Sequence, residues 1–399
     1  MYSDNQQDVH EERIGAVVPA GWNPMFSVSS NLYDVEPQWR ALEAFGLSSP
    51  GQSFDFVRSW VEATNVPKQE QFYVTAYLGK QPLMVLPLAM SKKLGVTILT
   101  WFVGDHVACN GPLMNHDLFE RLSESQREAF WQSVVAALPV SDVLYLPGLI
   151  EGADTEFVAF EGVGKSSVCD HIFRVRFDSW EECDKSRRDR KRRRRDKQHR
   201  QKLDALGAVD LVEIAQVDQA EHVLQVMFEQ KRKRFEQLGI EDPFTKKEVR
   251  DVYSDLFSKS KSVRPLLYAL RLNEEVISVR YCVAHQNNLF MLVSSMSVDD
   301  DILAGSPGNQ CVLEILRQKL GKDSFTMVDI GVGESYEKKR WCNELVPVTS
   351  RFLPRTFKGW VFFAAKASLE RLKMLVKGNS VLFGYYKAIR GVLPPILRT

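Results

Sequence analysis

The chain has 399 residues and a formal net charge of +1, with 44% hydrophobic and 26% charged residues. This composition is typical of a globular protein and excludes a polyelectrolyte, while the length predicts two domains or more. The six cysteines include no CxxC pair and no Cys/His cluster with zinc-site spacing, so we expect free thiols and no metal site.

The N-terminus is polar and acidic, and it lacks the basic start and apolar core of a signal peptide. The apolar stretch Trp360–Ala365 near the other end is soon interrupted by charged residues, as in an amphipathic helix rather than a membrane span. We therefore expect a mobile tail over residues 1–24 and a cytoplasmic protein.

The next segment, residues 25–165, has the pattern of a mixed α/β unit. Two apolar runs, Phe72–Leu78 and Leu83–Leu88, flank a short Gly- and Pro-containing turn and predict a hairpin. Apolar residues at helical spacing predict helices before the hairpin, and a further strand, a helix and a strand are predicted after it.

A second unit, residues 166–355, repeats this order. A predicted helix over Trp180–Leu206 is followed by further strands and helices. The clearest strand pattern in this unit predicts a meander of three strands, Arg264–Leu272, Val276–Ala284 and Leu289–Ser297. Their short connections require antiparallel neighbours. A helix over Asn309–Leu320 comes next, and residues 356–399 form a helical extension. The shared order indicates a duplicated fold.

The triplet Ser306-Pro307-Gly308 lies between the meander and the following helix. Helix N-termini carry partial positive charge and free N–H groups, which suit phosphate oxygens. Pro307 fixes one φ angle, and Gly308 lets a ligand approach the backbone. Most such triplets are only turns, but this position between strand and helix favours an anion site.

Four stretches resemble a known family when they are taken in order. They are the Arg-rich segment Ser186–Val209, the meander, SPGNQCVLEIL at Ser306–Leu316, and MVDIGVGESYEKKRW at Met327–Trp341. The chain thereby resembles the CelD-like acetyltransferase domain of the GNAT superfamily, associated with cellulose and exopolysaccharide synthesis and related in fold to FemAB-type transferases. The resemblance implies tandem GNAT-like domains of the α/β (α+β) class. Each would have a mixed, mostly antiparallel sheet flanked by helices, with catalysis in the second.

The resemblance also implies acyl transfer from acetyl-CoA or another acyl-CoA to an amine. In that fold the last meander strand diverges from the next strand, and the pantetheine lies in the gap. The diphosphate would then bind the following helix start. The residues implied for the cofactor are Ser306, Gly308, Asn309, Gln310 and Val298.

Acyl transfer needs a base for the amine and an acid for the departing thiolate. Glu334 is the candidate base and Tyr336 the candidate acid, with Lys338 as a further catalytic or anion-binding residue. The alternative is that Glu334 and Tyr336 only follow a strand and cap a helix. The family places lysine directly after tyrosine, whereas Glu337 intervenes here.

Three further residues are candidates for substrate binding: Arg280, Asp329 and Trp341. Asp329 lies in an apolar strand, where a carboxylate is costly unless it is paired. It is therefore open to a structural reading as the partner of an arginine such as Arg280. Trp341 is equally open to a reading as a core residue.

Between Lys185 and Lys202 lie ten Lys or Arg and only two acids. A solvated helix is the simplest interpretation, because Arg and Lys are good helix formers. Six consecutive cations repel one another, so an anionic partner is also plausible. No aromatic residues interleave, which argues against single-stranded nucleic acid.

The leading hypothesis is an N-acyltransferase acting on an amino sugar or related amine in surface-polysaccharide synthesis. One alternative is a FemAB-like transferase that takes its aminoacyl group from transfer RNA. Another is a non-catalytic protein that binds anions or nucleic acid on the same fold.

Overall fold

A computed structural model describes residues 23–150, 160, 162–322 and 324–377. The predicted tail over 1–24 lies outside these residues except for its last two, as does the predicted extension beyond residue 377.

Residues 23–150 form the N-terminal half, which contains six strands and four α-helices within the described part. The strands are β1 (Met25–Ser29), β2 (Gln71–Leu78), β3 (Gln81–Lys93), β4 (Val96–Thr100), β5 (Leu113–Met114) and β6 (Val143–Ile150). The helices are α1 (Glu36–Glu43), α2 (Phe54–Ala63), α3 (His116–Phe119) and α4 (Glu124–Ala137).

Residues 162–377 form the C-terminal half. Its strands are β7 (Lys165–Arg176), β8 (Val209–Ile214), β9 (Arg264–Leu272), β10 (Glu275–His285), β11 (Asn288–Met296), β12 (Met327–Val332) and β13 (Glu344–Pro354). Its helices are α5 (Trp180–Arg187), α6 (Arg190–Asp204), α7 (Val217–Leu238), α8 (Lys247–Lys259), α9 (Asp300–Leu303), α10 (Pro307–Lys319), α11 (Tyr336–Trp341) and α12 (Phe357–Lys377).

The described strands form one continuous sheet in the order β1-β2-β3-β4-β6-β13-β7-β12-β11-β10-β9-β8, with β5 beside β3. Most neighbours are antiparallel, and each half contains one parallel pair, β4–β6 and β11–β12. The expected fold class, two GNAT-like halves with a mixed and mostly antiparallel sheet, is confirmed. The continuity of the two sheets through β13 was not expected.

The two halves share a hydrophobic core. Helices α1 and α2 of the first half pack into the same buried cluster as α7 and α8 of the second. Asp55, at the start of α2, is fully buried and accepts hydrogen bonds from the backbone amides of Lys261 and Ser262 at 2.8 and 2.7 Å. The seam between the halves is therefore closely packed and held by specific polar contacts.

The meander prediction is confirmed by β9, β10 and β11. The single helix predicted over Trp180–Leu206 is wrong, because the chain breaks between α5 and α6. Asp189 adopts extended backbone there and caps α6 by accepting a hydrogen bond from the Arg192 amide. Within the described residues, every helix is too short or too polar to cross a bilayer.

Candidate functional site

Strands β11 and β12 are paired only at their beginnings. The parallel register joins Asn288–Phe290 to Met327–Asp329 and stops there. Beyond it, Met291–Met296 on one side and Ile330–Val332 on the other both line a cleft of about 560 Å³. The implied divergence of the two strands is therefore present, and it leaves their facing backbone edges available to a ligand.

The divergence has a local cause in each strand. In β11, Met291 is opposite Cys282 and Val293 is opposite Tyr281, so Leu292 is an extra residue that forms a β-bulge. Bulges bend the strand that contains them. In β12 the pairing with β7 also shifts after Asp329, where the backbone turns through Gly331 with a φ of +80°.

The start of α10 closes one end of the cleft. Its N-cap residue, Ser306, has left-handed backbone (φ +53°) and provides no side-chain cap in the described structure. The first turn of a helix has no internal acceptors, so the amides of Gly308 and Asn309 are left without intrahelical partners. A Cβ at Gly308 would lie 3.2 Å from the Met296 sulfur, so glycine keeps this approach open.

The cleft is strongly cationic. Its charged lining residues are Lys231, Arg234, Arg280 and Lys338, and Glu337 is the one carboxylate among the described residues that line it. Burial lowers the pKa of both Lys231 and Lys338. An anionic ligand would offset the mutual repulsion of these cations, so the charge pattern suits a phosphate or carboxylate.

Arg280 is built into the floor of this site. It is only 9% exposed, and it donates from Nη2 to the carbonyl oxygen of Gly308 at 3.0 Å. Its Nε atom is buried without a hydrogen-bond partner among the described residues. A buried donor beside an uncapped helix start marks a place where an anion would complete the hydrogen bonding.

Of the three predicted catalytic residues, only Lys338 lines the cleft. It donates to the carbonyl oxygen of Val332. Glu334 is 68% exposed and forms an ion pair with Lys339. Tyr336 is 67% exposed and accepts a hydrogen bond from Arg195, which lowers the pKa of its phenol. Ser335 caps α11, and of the next residues Glu337, which is exposed, and Lys338 line the cleft.

The predicted cofactor residues separate into three groups. Ser306 and Gly308 line the cleft. The side chains of Asn309 and Gln310 are buried against Asp196 of α6. The backbone N–H of Gln310 already donates to the carbonyl oxygen of Ser306. Val298 borders a different depression, beside α7.

The predicted substrate residues also differ in placement. Arg280 and Trp341 line the cleft, although Trp341 is 1% exposed and mostly a core residue. Asp329 is paired with Arg174 at 3.2 Å rather than with Arg280, because β7 and not β10 lies beside β12. Burial raises the pKa of Asp329, against the opposing effect of the Arg174 guanidinium.

Several cations of the Arg-rich run have structural partners. Arg187 and Arg192 donate to the carbonyl oxygens at the end of α11, and the Arg192 guanidinium lies 4.1 Å from the Trp341 ring centroid. Arg188 pairs with the buried carboxylate of Asp196. The run therefore fixes α11 beside the cleft, while Arg190, Lys191, Arg194 and Lys197 stay exposed.

Sequence reasoning missed the contribution of the N-terminal half. His106, Val107 and Ala108, from the segment after β4, line the cleft. His106 lies with Nδ1 3.3 Å from the hydroxyl of Tyr253, a residue of α8. This proximity depends on the seam between the halves, so no local pattern signalled it. Lys231 was missed because its place in the cleft depends on the packing of α7 against the sheet within the C-terminal half.

Residues 190–339 match the model of the Acetyltransf_6 family, described as an acetyltransferase (GNAT) domain. The match covers the divergent strands, the start of α10 and most of α11. Among curated proteins, none matches the chain.

Several solved structures are similar to this chain at low sequence identity. FemX is 12% identical with a TM-score of 0.52, over 84% of this chain and 98% of FemX. A tandem GNAT protein from the clavulanic acid pathway is 11% identical with a TM-score of 0.40, over 83% and 98%. L-PGS from Bacillus licheniformis is 8% identical with a TM-score of 0.45, over 78% and 95%. The chain thus contains a GNAT-type acetyltransferase domain over residues 190–339, within a fold like that of FemX.

Proposed function

We propose that this protein transfers an acyl group from acyl-coenzyme A to an amine. The observation that carries the proposal is the cleft between β11 and β12, closed by the uncapped start of α10. A thioester arm with two amide groups suits the free strand edges, and a diphosphate suits the amides of Gly308 and Asn309. Arg280, with its unpartnered Nε, supports the same assignment.

The reaction joins the amine nitrogen to the thioester carbonyl carbon and breaks the carbon–sulfur bond. The ammonium must first lose a proton to a base, negative charge then develops on the carbonyl oxygen, and the thiolate finally takes up a proton. Glu337 is our candidate base, because it is the one carboxylate of the described lining. Lys338 is the candidate cation for the developing charge or for an anionic group of a substrate.

Glu334 provides the matched control for this assignment. We expect Glu337→Gln to lower turnover by about 100-fold with acetyl-CoA binding nearly unchanged. We expect Glu334→Gln to change turnover less than threefold, since its carboxylate is paired with Lys339 on the surface. The measurement is the rate of thiol release, with calorimetry for binding. A strong loss in Glu334→Gln together with a normal Glu337→Gln would return the base to Glu334.

The proposal for the acceptor is an amino sugar or related amine of surface-polysaccharide synthesis. It is supported by the sequence resemblance and by the surplus of cations in the cleft, which suits an acceptor that carries phosphate or carboxylate. Assay of thiol release with amino sugars, with and without a nucleoside diphosphate, tests it. Activity confined to uncharged amines would contradict the anionic acceptor.

Aminoacyl transfer from transfer RNA is a second candidate, favoured by the exposed cations Arg190, Arg194 and Lys197 on one face of α6. Their spacing of four and three residues aligns them along the helix. Titration with transfer RNA and with acetyl-CoA separates the two functions. Salt-dependent RNA binding lost in the triple Gln variant, with no acetyl-CoA binding, would favour this candidate over the first.

A further inference from the structure

Helix α12 presents an apolar stripe to solvent. Phe357 is 83% exposed, Trp360 52% and Val361 55%, and Ala364 and Ser368 continue the same face. These positions recur at intervals of three and four residues, which places them on one side of a helix. Helices of globular proteins normally turn such a face inward, so this orientation needs an explanation.

The opposite face of α12 already has its packing partners. Phe363 lies 4.7 Å from Phe352 of β13, measured between ring centroids, and Lys366 lies over the ring of Tyr145 of β6. Gly359 meets the carbonyl of Asp142 so closely that a Cβ there would lie 2.1 Å from the oxygen. The helix is thus fixed on the sheet, and the outward direction of the stripe is not free to reverse.

Two other exposed apolar residues lie near the start of α12. Asp142 accepts hydrogen bonds from the Thr356 hydroxyl at 2.6 Å and from the Thr97 amide at 2.8 Å. Three segments therefore meet at this carboxylate: the start of α12, the β3–β4 turn with Leu94 (76% exposed), and the loop with Val140 (91% exposed). We name Leu94, Val140, Phe357, Trp360 and Val361 the apolar patch.

The apolar patch is surrounded by lysines. Lys92, Lys93 and Lys358 are all exposed beside it. The Thr356 hydrogen bond lowers the pKa of Asp142, and Lys358 and Lys92 contribute to the same shift, which places both near this carboxylate. Residues 356–399 contain eight Lys or Arg and a single Glu, so the rest of the chain is net acidic.

We propose that the apolar patch docks on the surface of an anionic lipid bilayer. Aromatic and aliphatic side chains with neighbouring lysines are the chemistry of interfacial helices, which insert their apolar face between headgroups and attract anionic lipids. A symmetric contact with a second copy would bring lysines against lysines, so charge disfavours that occupant. The proposal is independent of acyl transfer.

Cosedimentation with vesicles tests the docking on the full chain. Wild type is expected to bind phosphatidylcholine vesicles that contain phosphatidylglycerol, and to bind pure phosphatidylcholine weakly. Phe357→Ser with Val361→Ser should lower binding about tenfold or more, and Lys358→Gln about fivefold. Leu238→Ser, at an apolar residue of α7 that is 52% exposed, is the control and should leave binding unchanged.

A second readout guards against loss by misfolding. Trp360→Phe retains the apolar surface, so it should bind vesicles yet lose the fluorescence change that lipid causes in the wild type. Three results would overturn the proposal: no binding to anionic vesicles, equal losses in the Leu238→Ser control, or a dimer that dissociates in the double Ser variant and does not bind lipid.

Discussion

Each half contains a parallel strand pair whose connection includes a helix, yet among the described residues only the C-terminal pair diverges over a large cleft. In the C-terminal half, β11 and β12 diverge over a cleft of about 560 Å³, and α10 begins without a side-chain cap. In the N-terminal half, the indole N–H of Trp101 donates to the carbonyl oxygen of Pro147 in β6 at 2.7 Å. The backbone N–H of Asn110 donates to the carbonyl oxygen of Gly148, also in β6. The depression that Asn110 borders measures about 30 Å³.

The N-termini of α4 and α10 also differ, because that of α4 is capped by side chains and that of α10 is not. Helix α4 begins with a capping box, in which the Ser123 hydroxyl accepts from the Gln126 amide and the Gln126 side chain accepts from the Ser123 amide. Its first turn is therefore satisfied by its own side chains. The comparison teaches that the same strand–helix–strand connection occurs in both halves, and that a few side chains decide whether the helix start is left uncapped beside an open cleft.

Removing the indole of Trp101, which is buried in the core of the N-terminal half, gives the largest expected effect. Trp101→Ala should lower the free energy of unfolding by about 4 kcal/mol, because a large buried side chain leaves a cavity. Acetyl-CoA binding should stay at one molecule per chain. Urea denaturation and calorimetry measure the two quantities, and a stoichiometry of two would break the comparison.

The buried pair of Arg174 and Asp329 inside the C-terminal half is the next test, and Arg174 also donates to the carbonyl oxygen of Ser48 in the N-terminal half at 3.1 Å. Asp329→Asn should cost about 3 kcal/mol of unfolding free energy, because Arg174 loses its buried partner. The exposed pair of Arg271 and Asp210 is the matched control, and Asp210→Asn should cost less than about 1 kcal/mol. Equal losses in the two variants would contradict the importance of burial here.

A negative charge at equivalent helix positions sharpens the comparison. Gly308→Asp should weaken acetyl-CoA binding about 100-fold, through repulsion of phosphate and loss of the open approach. Ser125 holds the same position in the first turn of α4, and Ser125→Asp should leave binding unchanged. Thermal unfolding of both variants confirms that they fold, and unaltered binding in folded Gly308→Asp would refute the site.

The smallest expected effect concerns the pH dependence of the C-terminal cleft. Burial lowers the pKa of Lys338, so its charged form is present at low pH and is lost as pH rises through a value below the ordinary 10.5. If the charge binds substrate, kcat/KM should fall on that alkaline side. Lys338→Met should lower it about tenfold near neutral pH, whereas Lys338→Arg should move the decline to higher pH. A profile identical in all three forms would exclude a role for this charge.

Sequence patterns predicted what is local. The three meander strands and the helix after Ser306 follow from apolar periodicity and turn residues, and the divergence of β11 and β12 followed from the family resemblance. The break before Arg190 escaped prediction, because Arg and Lys favour a helix and Asp189 caps α6 only in its folded conformation. Which of Glu334 and Glu337 lines the cleft depends on the orientation of α11, which begins after its N-cap residue Ser335. The position of His106 depends on packing between the halves, and that of Lys231 on the packing of α7 against the sheet.

The place of β13 has a consequence for synthesis on the ribosome. This strand, the last of the described strands along the chain, hydrogen-bonds to both β6 and β7. Until it emerges, each of those strands presents an unpaired edge, and such edges favour pairing with other chains. The nascent protein therefore cannot complete the sheet of its N-terminal half before the C-terminal half has been synthesised. A chaperone that shields these edges should raise the yield of folded protein more than slower translation does.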